Sequence, residues 1–554
     1  MRSHRPRSYR PWLAFALLAA IAPTAIGAET PAGSSAVPAT VAAKVDEVLA
    51  TETGSSDKLQ PTAAASDEIF LRRVTLDLHG RLPSASEVTA FALDPAADKR
   101  AAVVRKLLAD SRFGENWSRY WRDVIMYRAS EQRAQLVAGV LTSYLKDSLN
   151  KNKPWSQVAT EFITAEGDGL EKGETALIIA QEGKPEETVA EISRIFLGVQ
   201  IQCAQCHDHP TDRWKREQFH ELAAFFPRVA SRIILTPDNR SISVVTTEFG
   251  NEPIERNGNR VRGSAEHRMP DLKEPTARGT LMQPVLFATG DKLRGNVKDS
   301  ERRATLAQWI TKPENPYFAK ALVNRLWSEL VGEGFYEPVD DMGPDRTCDA
   351  PQTLECLATA FASTNYDVKW LYETIMSTQA YQRTSRSRRN PDQPAFTANV
   401  QQRLRADQIF DNLLTALDTR EQVGFGGRGP GGPGARFGRG PRQSFSAVFG
   451  YDPSERRDEI GGTIPQALTM MNSSFINGAV DGRSSRSGLG RLLNEFKDDR
   501  ALISELYLRT LGREPSKKET ATCLAHIADT RSRTDAFEDI HWSLINSTEF
   551  LYRR

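Results

Sequence analysis

Ser66-Asp67-Glu68-Ile69-Phe70-Leu71-Arg72-Arg73-Val74-Thr75-Leu76-Asp77-Leu78-His79-Gly80-Arg81-Leu82-Pro83-Ser84 is the stretch on which the fold turns. Ser66 with two acids behind it opens a helix, and Ile69, Phe70, Val74 and Leu78 recur at helical spacing. Gly80 lets the chain leave that helix, Pro83 opens the next, and Ser84 with Glu87 makes a capping box. The same pattern returns near the other end, where Gly512-Arg513-Glu514-Pro515-Ser516 with Glu519 follows another leucine-rich stretch. The first unit closes on Leu107-Leu108-Ala109-Asp110-Ser111-Arg112-Phe113 and the second on Ile545-Asn546-Ser547-Thr548-Glu549-Phe550, with a partial third copy over Ile375–Tyr381. Helical pairs that bury apolar faces against their neighbours explain such matches, so these motifs argue for architecture and not for catalysis.

Outward from this stretch, helical periodicity runs to about residue 226, with segments expected from Ser84, Lys99, Glu115, Arg133, Trp155 and Glu187. Trp117, Tyr120 and Trp121 fall at helical spacing and are expected in the core. From 229 to 298 the character changes. Ile234-Leu235 and Ile242–Thr247 are β-branched runs bounded by Pro237-Asp238-Asn239 and Asn257-Gly258-Asn259, which predicts short strands and long loops. Helices resume at Ser300, over Pro316–Leu330 and over Leu354–Tyr381. Residues 424–440, rich in Gly, Pro and Arg, are expected to form an exposed loop; Arg428, Arg436, Arg439 and Arg442 give it the composition of an RNA-binding tail, but a solvated linker is the preferred reading.

The fold expected is therefore mainly α-helical and multidomain, with a small irregular β-containing segment between the helical halves. Its parts are a signal peptide over 1–28, a flexible tether over 29–64 with a short helix at 42–49, a helical domain over 65–228, a β/irregular segment over 229–298 and a helical companion domain over 299–553.

Export is read from Arg2, Arg5, Arg7 and Arg10, which precede an apolar run from Trp12 to Ile21 and small residues ending at Ala28. That run is too short to span a bilayer comfortably; a retained N-terminal anchor is the rival reading. No later apolar stretch reaches the length of a span, so the mature chain is expected in the periplasm or secreted, without an integral membrane segment. With 72 basic and 71 acidic residues the net charge is +1, and no nucleic-acid partner is expected. Five cysteines are too few for a disulfide-built fold of 554 residues. Cys348 and Cys356 lie close enough for a local disulfide, Cys523 reads as a buried small hydrophobe, and Cys203 with Cys206 needs its own account.

Cys203-Ala204-Gln205-Cys206-His207 has the pattern of a covalent c-type haem site: two thiols three apart on a helical turn, for the two vinyl groups, and an adjacent imidazole for the iron. An export signal strengthens that reading, because c-type haem is attached outside the cytoplasm. Two others stay open. One is zinc or iron held by Cys203, Cys206, His207 or His209, with His220 as a further donor; the other is a plain disulfide or reduced structural pair. His209 lies only two residues from His207, so a supporting partner or local cap suits it better than the opposite haem face. The candidates for that opposite position are Met269, then His267, then Met282, and five-coordinate iron is the remaining option. Trp214, Phe219, Phe225 and Phe226 supply apolar bulk for shielding a haem or for ordinary helix packing. Asp208 and Asp212 are expected either to accept an imidazole N–H from His207 or His209 or to be solvated.

In the second half, Asn315-Pro316 reads as a helix N-cap with Pro at the first helical position. Asn324, Arg325 and Trp327 then fall inside an apolar helix, where Arg325 is expected to pair with Asp340 or Asp341 in a buried network joining two domains. Asp340 and Asp341 as a cation-binding or acid–base pair is the alternative, disfavoured because adjacent side chains point apart.

Phe70–Leu78 with Gly80-Arg81-Leu82-Pro83, and Cys203–Pro210 with Trp214 and Phe219, resemble a large secreted family abundant in planctomycetes and described as cytochrome-related domains of unknown function (DUF1549). Asn315–Phe318, Val323–Trp327, Pro338–Asp341 and Pro465–Leu468 with Met471-Asn472-Ser473 resemble its companion domain (DUF1553). The resemblance implies that Cys203, Cys206 and His207 are haem residues and that 65–228 is a cytochrome-like domain. It also implies association with carbohydrate-degrading and sulfatase systems. It assigns no second axial ligand and no catalytic residue. The function expected is that of an exported haem protein in electron transfer, with a redox partner protein. Two alternatives stand beside it: a non-haem metal-dependent enzyme or structural metal protein in polysaccharide metabolism, and a non-catalytic helical scaffold.

Overall fold

The computed structural model describes residues 37–54, 61–129, 132–235, 240–248, 254–256, 259–261, 266–294, 297–387, 394–420 and 441–554. The expected signal peptide and the Gly-rich loop at 424–440 lie outside the described residues. From Ala36 onward the chain forms one compact unit.

Part of the expected tether is instead a docked helix. α1 (Pro38–Thr53) buries Val41, Ala42, Val45 and Leu49 against two helices of the companion half, Pro351–Ser363 and Val368–Ser377. Its polar ends are tied to them as well. The Glu52 carboxylate accepts from the backbone amides of Gln352 and Thr353 at 2.6 and 2.8 Å, and Asp46 accepts from Gln379 N at 2.9 Å.

The helices of the first half follow the sequence pattern closely. α2 (Asp67–His79), α3 (Ala85–Leu93), α4 (Lys99–Ala109), α5 (Arg112–Met126), α6 (Ala138–Asn150), α7 (Trp155–Ile163), the short α8 (Ala176–Ala180), α9 (Pro185–Ile192) and α10 (Arg216–Ala223) come in that order. Trp117, Tyr120 and Trp121 are buried and meet edge to face, as expected of core aromatics.

Between the halves lie the expected short strands. β1 (Gly167–Asp168), an unexpected strand of the first half, joins β2 (Val229–Leu235) and β3 (Arg240–Thr246) in an antiparallel sheet of order β1-β3-β2, with Gly167 and Ser231 both opposite Val244. Three hairpins follow: β4 (Ile254–Arg256) with β5 (Asn259–Val261), β6 (Arg268–Met269) with β7 (Thr280–Leu281), and β8 (Val285–Leu286) with β9 (Asp291–Lys292).

The second half resumes with α11 (Asp299–Thr311) and α12 (Phe318–Val331), whose entry is capped by Asn315 Oδ1 accepting from Tyr317 N and Phe318 N at 2.9 and 3.2 Å. The helical run expected over 354–381 is broken into α13 (Pro351–Ser363), α14 (Val368–Ser377) and α15 (Gln379–Gln382), because Asn365 and Tyr366 take positive φ of 57° and 59°. Then come α16 (Ala406–Ala416), α17 (Pro441–Phe449), α18 (Ile464–Asn472), α19 (Ser474–Val480), α20 (Gly488–Glu495), α21 (Asp499–Leu511), α22 (Lys517–Asp529), α23 (Arg533–Ile545) and α24 (Thr548–Leu551). No helix among the described residues is long and apolar enough to cross a membrane.

The sequence echo is a structural repeat. Gly80 and Gly512 end α2 and α21 in the left-handed region, at φ 69° and 68°. Ser84–Glu87 and Ser516–Glu519 are both complete capping boxes, and Arg81 and Arg513 each fork onto the box glutamate. Thr378 and Ser547 cap α15 and α24 with the hydroxyl alone, accepting from Tyr381 N and Phe550 N.

The division of the core differs from the expected domain boundary at 299. One apolar cluster runs from Val41 to Phe396, with Leu508 of α21 added, and so takes in α11 to α15; the second is built from other residues of 404–550 with Leu76 and Leu82 of the first half. Nor do Cys348 and Cys356 join. Both are free thiols packed on the first cluster, where Cys348 is hydrogen-bonded to Tyr336; Cys523 is buried, as expected.

Candidate site at the CxxCH loop

The loop that carries Cys203–His207 is launched by an irregular helix end. After α9 the chain makes one wider π turn over Ser193–Leu197 and stops at Gly198, φ 64°. Ser193 Oγ donates to Val199 O at 2.8 Å, so the hydroxyl fastens the exit. A 3-10 turn, Gln202–Gln205, follows and buries Ala204 while Cys203 and Cys206 stay exposed as free thiols. Both thiols are thus on one turn, accessible and unjoined; the disulfide reading is not the state found.

His207 is exposed too, and its Nδ1 lies 2.7 Å from the backbone carbonyl of Asp208. A carbonyl oxygen only accepts, so Nδ1 carries the proton and in the neutral ring Nε2 is left with its lone pair. The group that orients the imidazole is the main chain of Asp208 and not its carboxylate. That carboxylate accepts from Arg216 N at 3.0 Å and Lys215 Nζ at 2.9 Å, which hold it below its ordinary pKa, the backbone bond most of all. His209 Nδ1 accepts from Thr211 N at 3.4 Å, the local cap expected of it.

Behind the loop stands a buried histidine pair that sequence reading did not join, because its members lie on α10 and β6's approach, far apart in the chain. His220 Nδ1 and His267 Nε2 are 2.9 Å apart with their rings stacked, and His220 Nε2 reaches Gln205 O, inside the motif, at 3.1 Å. Since Gln205 O must accept, His220 Nε2 donates, and its Nδ1 receives the proton of His267 Nε2 when His220 is neutral. Burial, the larger effect, favours the neutral form by lowering the His220 pKa. His267 Nδ1 in turn lies 3.7 Å from Glu186 on α9. His267 is therefore engaged in supporting the loop.

Of the other two axial candidates, Met282 is buried and its amide donates to His267 O at 3.0 Å. Met269 is half-buried on β6, next to Pro270, whose carbonyl accepts from Arg216 Nη2 at 2.7 Å while Arg216 Nε reaches Gln205 O at 3.4 Å. Phe219, Phe225 and Phe226 are buried in the core, with Phe225 edge-on to Trp309; Trp214 packs on Phe287 and Tyr317. Among the described residues no three His, Cys, Asp or Glu side chains form a group able to hold a metal ion.

The companion half grips the loop on both sides of the motif. Asp340, fully buried, accepts from Arg325 at 3.2 Å, Arg194 at 3.1 Å and Ser454 Oγ at 2.6 Å on one oxygen and from Gln200 at 2.6 Å on the other. Burial pushes its pKa up, but the Arg325 and Arg194 guanidiniums with these hydrogen bonds outweigh it and hold it at about 2. The buried Arg325–Asp340 network expected from the sequence is thus present. Asp341 is not part of it and faces Arg346 at 2.9 Å. Asp212 is neither solvated nor an imidazole partner; its side chain is buried beneath Gly343, with Arg346 at 3.8 Å.

Two free, exposed thiols on one turn and an imidazole fixed in the tautomer that offers Nε2 form a donor set that fits a covalently held haem. The family model for PSCyt2, a protein of unknown function (DUF1549), matches residues 44–231, and that for PSD1, a protein of unknown function (DUF1553), matches residues 302–431. No curated protein and no solved structure matches the chain. The first match contains most of α1, all of α2 to α10 and the CxxCH loop, the second contains Arg325 and Asp340, and the chain thus carries a DUF1549 domain followed by a DUF1553 domain.

Proposed function

We propose that this protein is an exported cytochrome-like subunit that binds haem c covalently and passes electrons to a partner protein in the periplasm or outside the cell. The observation that carries the reading is the presentation of Cys203, Cys206 and His207 together: both thiols free and exposed, and His207 Nδ1 occupied by Asp208 O. Cys203 and Cys206 would each add S–H across a vinyl group, forming a C–S bond and returning the proton to the other vinyl carbon. His207 Nε2 would ligate the iron, held in line by the Asp208 carbonyl, as a partner on the far ring nitrogen does for metal-bound imidazoles generally. Met269 would be the further residue to hold the haem iron, since His267 is engaged with His220 and Met282 is buried. A haem bound there supplies one-electron chemistry whose potential follows the axial ligand and the exposure of the site.

Protein made together with haem-attachment machinery should give a c-type pyridine haemochrome spectrum and a mass increase of one haem. His207→Ala should keep the mass increase and lose the low-spin spectrum. If neither signal appears and elemental analysis returns stoichiometric zinc or iron, the haem reading is wrong.

A further inference from the structure

The loop between Leu197 and Trp214 has two stems, 198–200 before the motif and 211–213 after it, and each is bonded to one segment of the companion half, residues 340–346. On the first stem, Gln200 Nε2 donates to Asp340 Oδ1 at 2.6 Å and Met342 N donates to Gly198 O at 2.7 Å. On the second, Arg346 Nη2 donates to Thr211 Oγ1 at 3.0 Å and Arg213 Nε donates to Asp345 Oδ1 at 2.6 Å. Between these contacts Gly343 lies so close to Asp212 that an added Cβ would fall 1.6 Å from its Oδ2. The segment is itself anchored: Asp340 is held by Arg325 of α12, Ser454 and Arg194.

We propose that residues 340–346 are a clamp, a positioning element by which the companion domain completes the hold that the thiol-bearing domain has on the CxxCH loop and fixes its two stems. Each stem is a short irregular segment, and closing a loop of this length costs conformational entropy that bonds bridging its two stems help to offset. The segment bridges both stems and leaves Cys203, Cys206 and His207 exposed, so it constrains the motif without occupying it. Gly343 follows from the same geometry: only a residue without Cβ lets the segment lie over Asp212. On this account the DUF1549 and DUF1553 domains occur in one chain because the second completes the site of the first. The clamp does not depend on haem; only its consequence for haem attachment rests on the proposed function.

The test uses the full mature chain without haem. Gly343→Ala should raise amide exchange across 206–215 at least tenfold while leaving α2, α5 and α12 protected, and should weaken capture of the Cys203–Cys206 pair by phenylarsine oxide, which needs both thiols at a fixed separation, at least fivefold. Should Gly343→Ala fail to fold by circular dichroism, Gln200→Ala combined with Arg346→Ala, which removes the Gln200–Asp340 bond from one stem and both Arg346–Thr211 bonds from the other, is read in its place with the same expectation. Unchanged exchange and unchanged arsenical capture in a folded variant would overturn the clamp. Wild-type protein that never takes up haem, with both readouts behaving as expected, would remove the haem reading and leave the clamp standing.

Discussion

Asp340 keeps its charge in a fully buried position because Arg325 and Arg194 stand against it and Gln200 and Ser454 fill its remaining acceptor sites. Removing one guanidinium leaves a buried carboxylate short of its partners, which costs more than the pair contributes when intact. Arg325→Met should therefore destabilise the protein by about 3 kcal/mol, read as a lower urea midpoint with an unchanged slope. The pH dependence has a definite sign. A carboxyl whose pKa falls from 3.8 to about 2 on folding contributes stability that is complete above the unfolded value and lost as pH drops toward the folded one. Unfolding titrations between pH 5 and 2 should show that loss in the wild type and a shallower loss in Asp340→Asn; equal slopes would mean that Asp340 is not charged in the fold. Half of this site was legible in the sequence. An arginine inside an apolar helix asks for a nearby acid, and Asp340 lies 15 residues on. Gln200 and Ser454 carry no such mark, since an uncharged hydrogen-bond donor has the same appearance in a loop whether it is buried or solvated.

At the scale of elements, the two Gly-Arg-x-Pro-Ser-x-x-Glu turns make the same bonds at opposite ends of the chain. In each, the serine and glutamate satisfy one another's backbone amides, and the arginine, on the residue after the glycine, neutralises the glutamate. Arg513 bears two carboxylates where Arg81 bears one, because Glu549 also reaches it, at 2.8 Å. Ser84→Ala and Ser516→Ala should each cost about 1 kcal/mol in chemical denaturation. Glu519→Gln should cost less than Glu87→Gln, since Glu549 still pairs Arg513; a larger loss at Glu519 would contradict that ordering. These turns could be read in advance because every partner except Glu549 lies within seven residues. α1 could not. Its apolar positions Val41, Val45 and Leu49 are few, and what makes them a helix face is the surface of α13 and α14, about three hundred residues away. The same limit hid the His220–His267 pair, whose meaning lies in the approach of β6 to α10.

At the scale of the whole molecule, the two ends of the folded chain are joined through α2. Arg72 donates to the carbonyls of Glu549 and Tyr552 at 2.6 and 3.1 Å, and Arg73 donates to the C-terminal Arg554 carbonyl at 2.9 Å and to Tyr381 O. In return Arg553 pairs with Asp77 at 2.7 Å, and donates to Leu330 O of α12. A short antiparallel pairing of Gln402–Arg403 with Tyr552–Arg553 closes the same junction. All four charged side chains are buried, so none can find water if its partner is removed. Deleting residues 549–554 would remove the Glu549 and Tyr552 carbonyls from Arg72 and the Arg554 carbonyl from Arg73, which keeps Tyr381 O and Ser385 Oγ, and would leave the Asp77 carboxylate with the Tyr381 hydroxyl, at 2.8 Å, as its remaining hydrogen-bond donor. The cost of stranding buried charge is about 3–5 kcal/mol per broken pair, against a few tenths for trimming an exposed terminus. The truncated chain should accordingly unfold at a markedly lower denaturant concentration than the full one, and amide exchange should rise first in α2 and α24's neighbours α21 and α23, not at α18 or α19. A truncation that leaves the midpoint where it was would show that the arginines of the opening stretch serve only their own helix. In that case the repeat at the two ends would be a resemblance of parts and not the joint through which the halves are locked together.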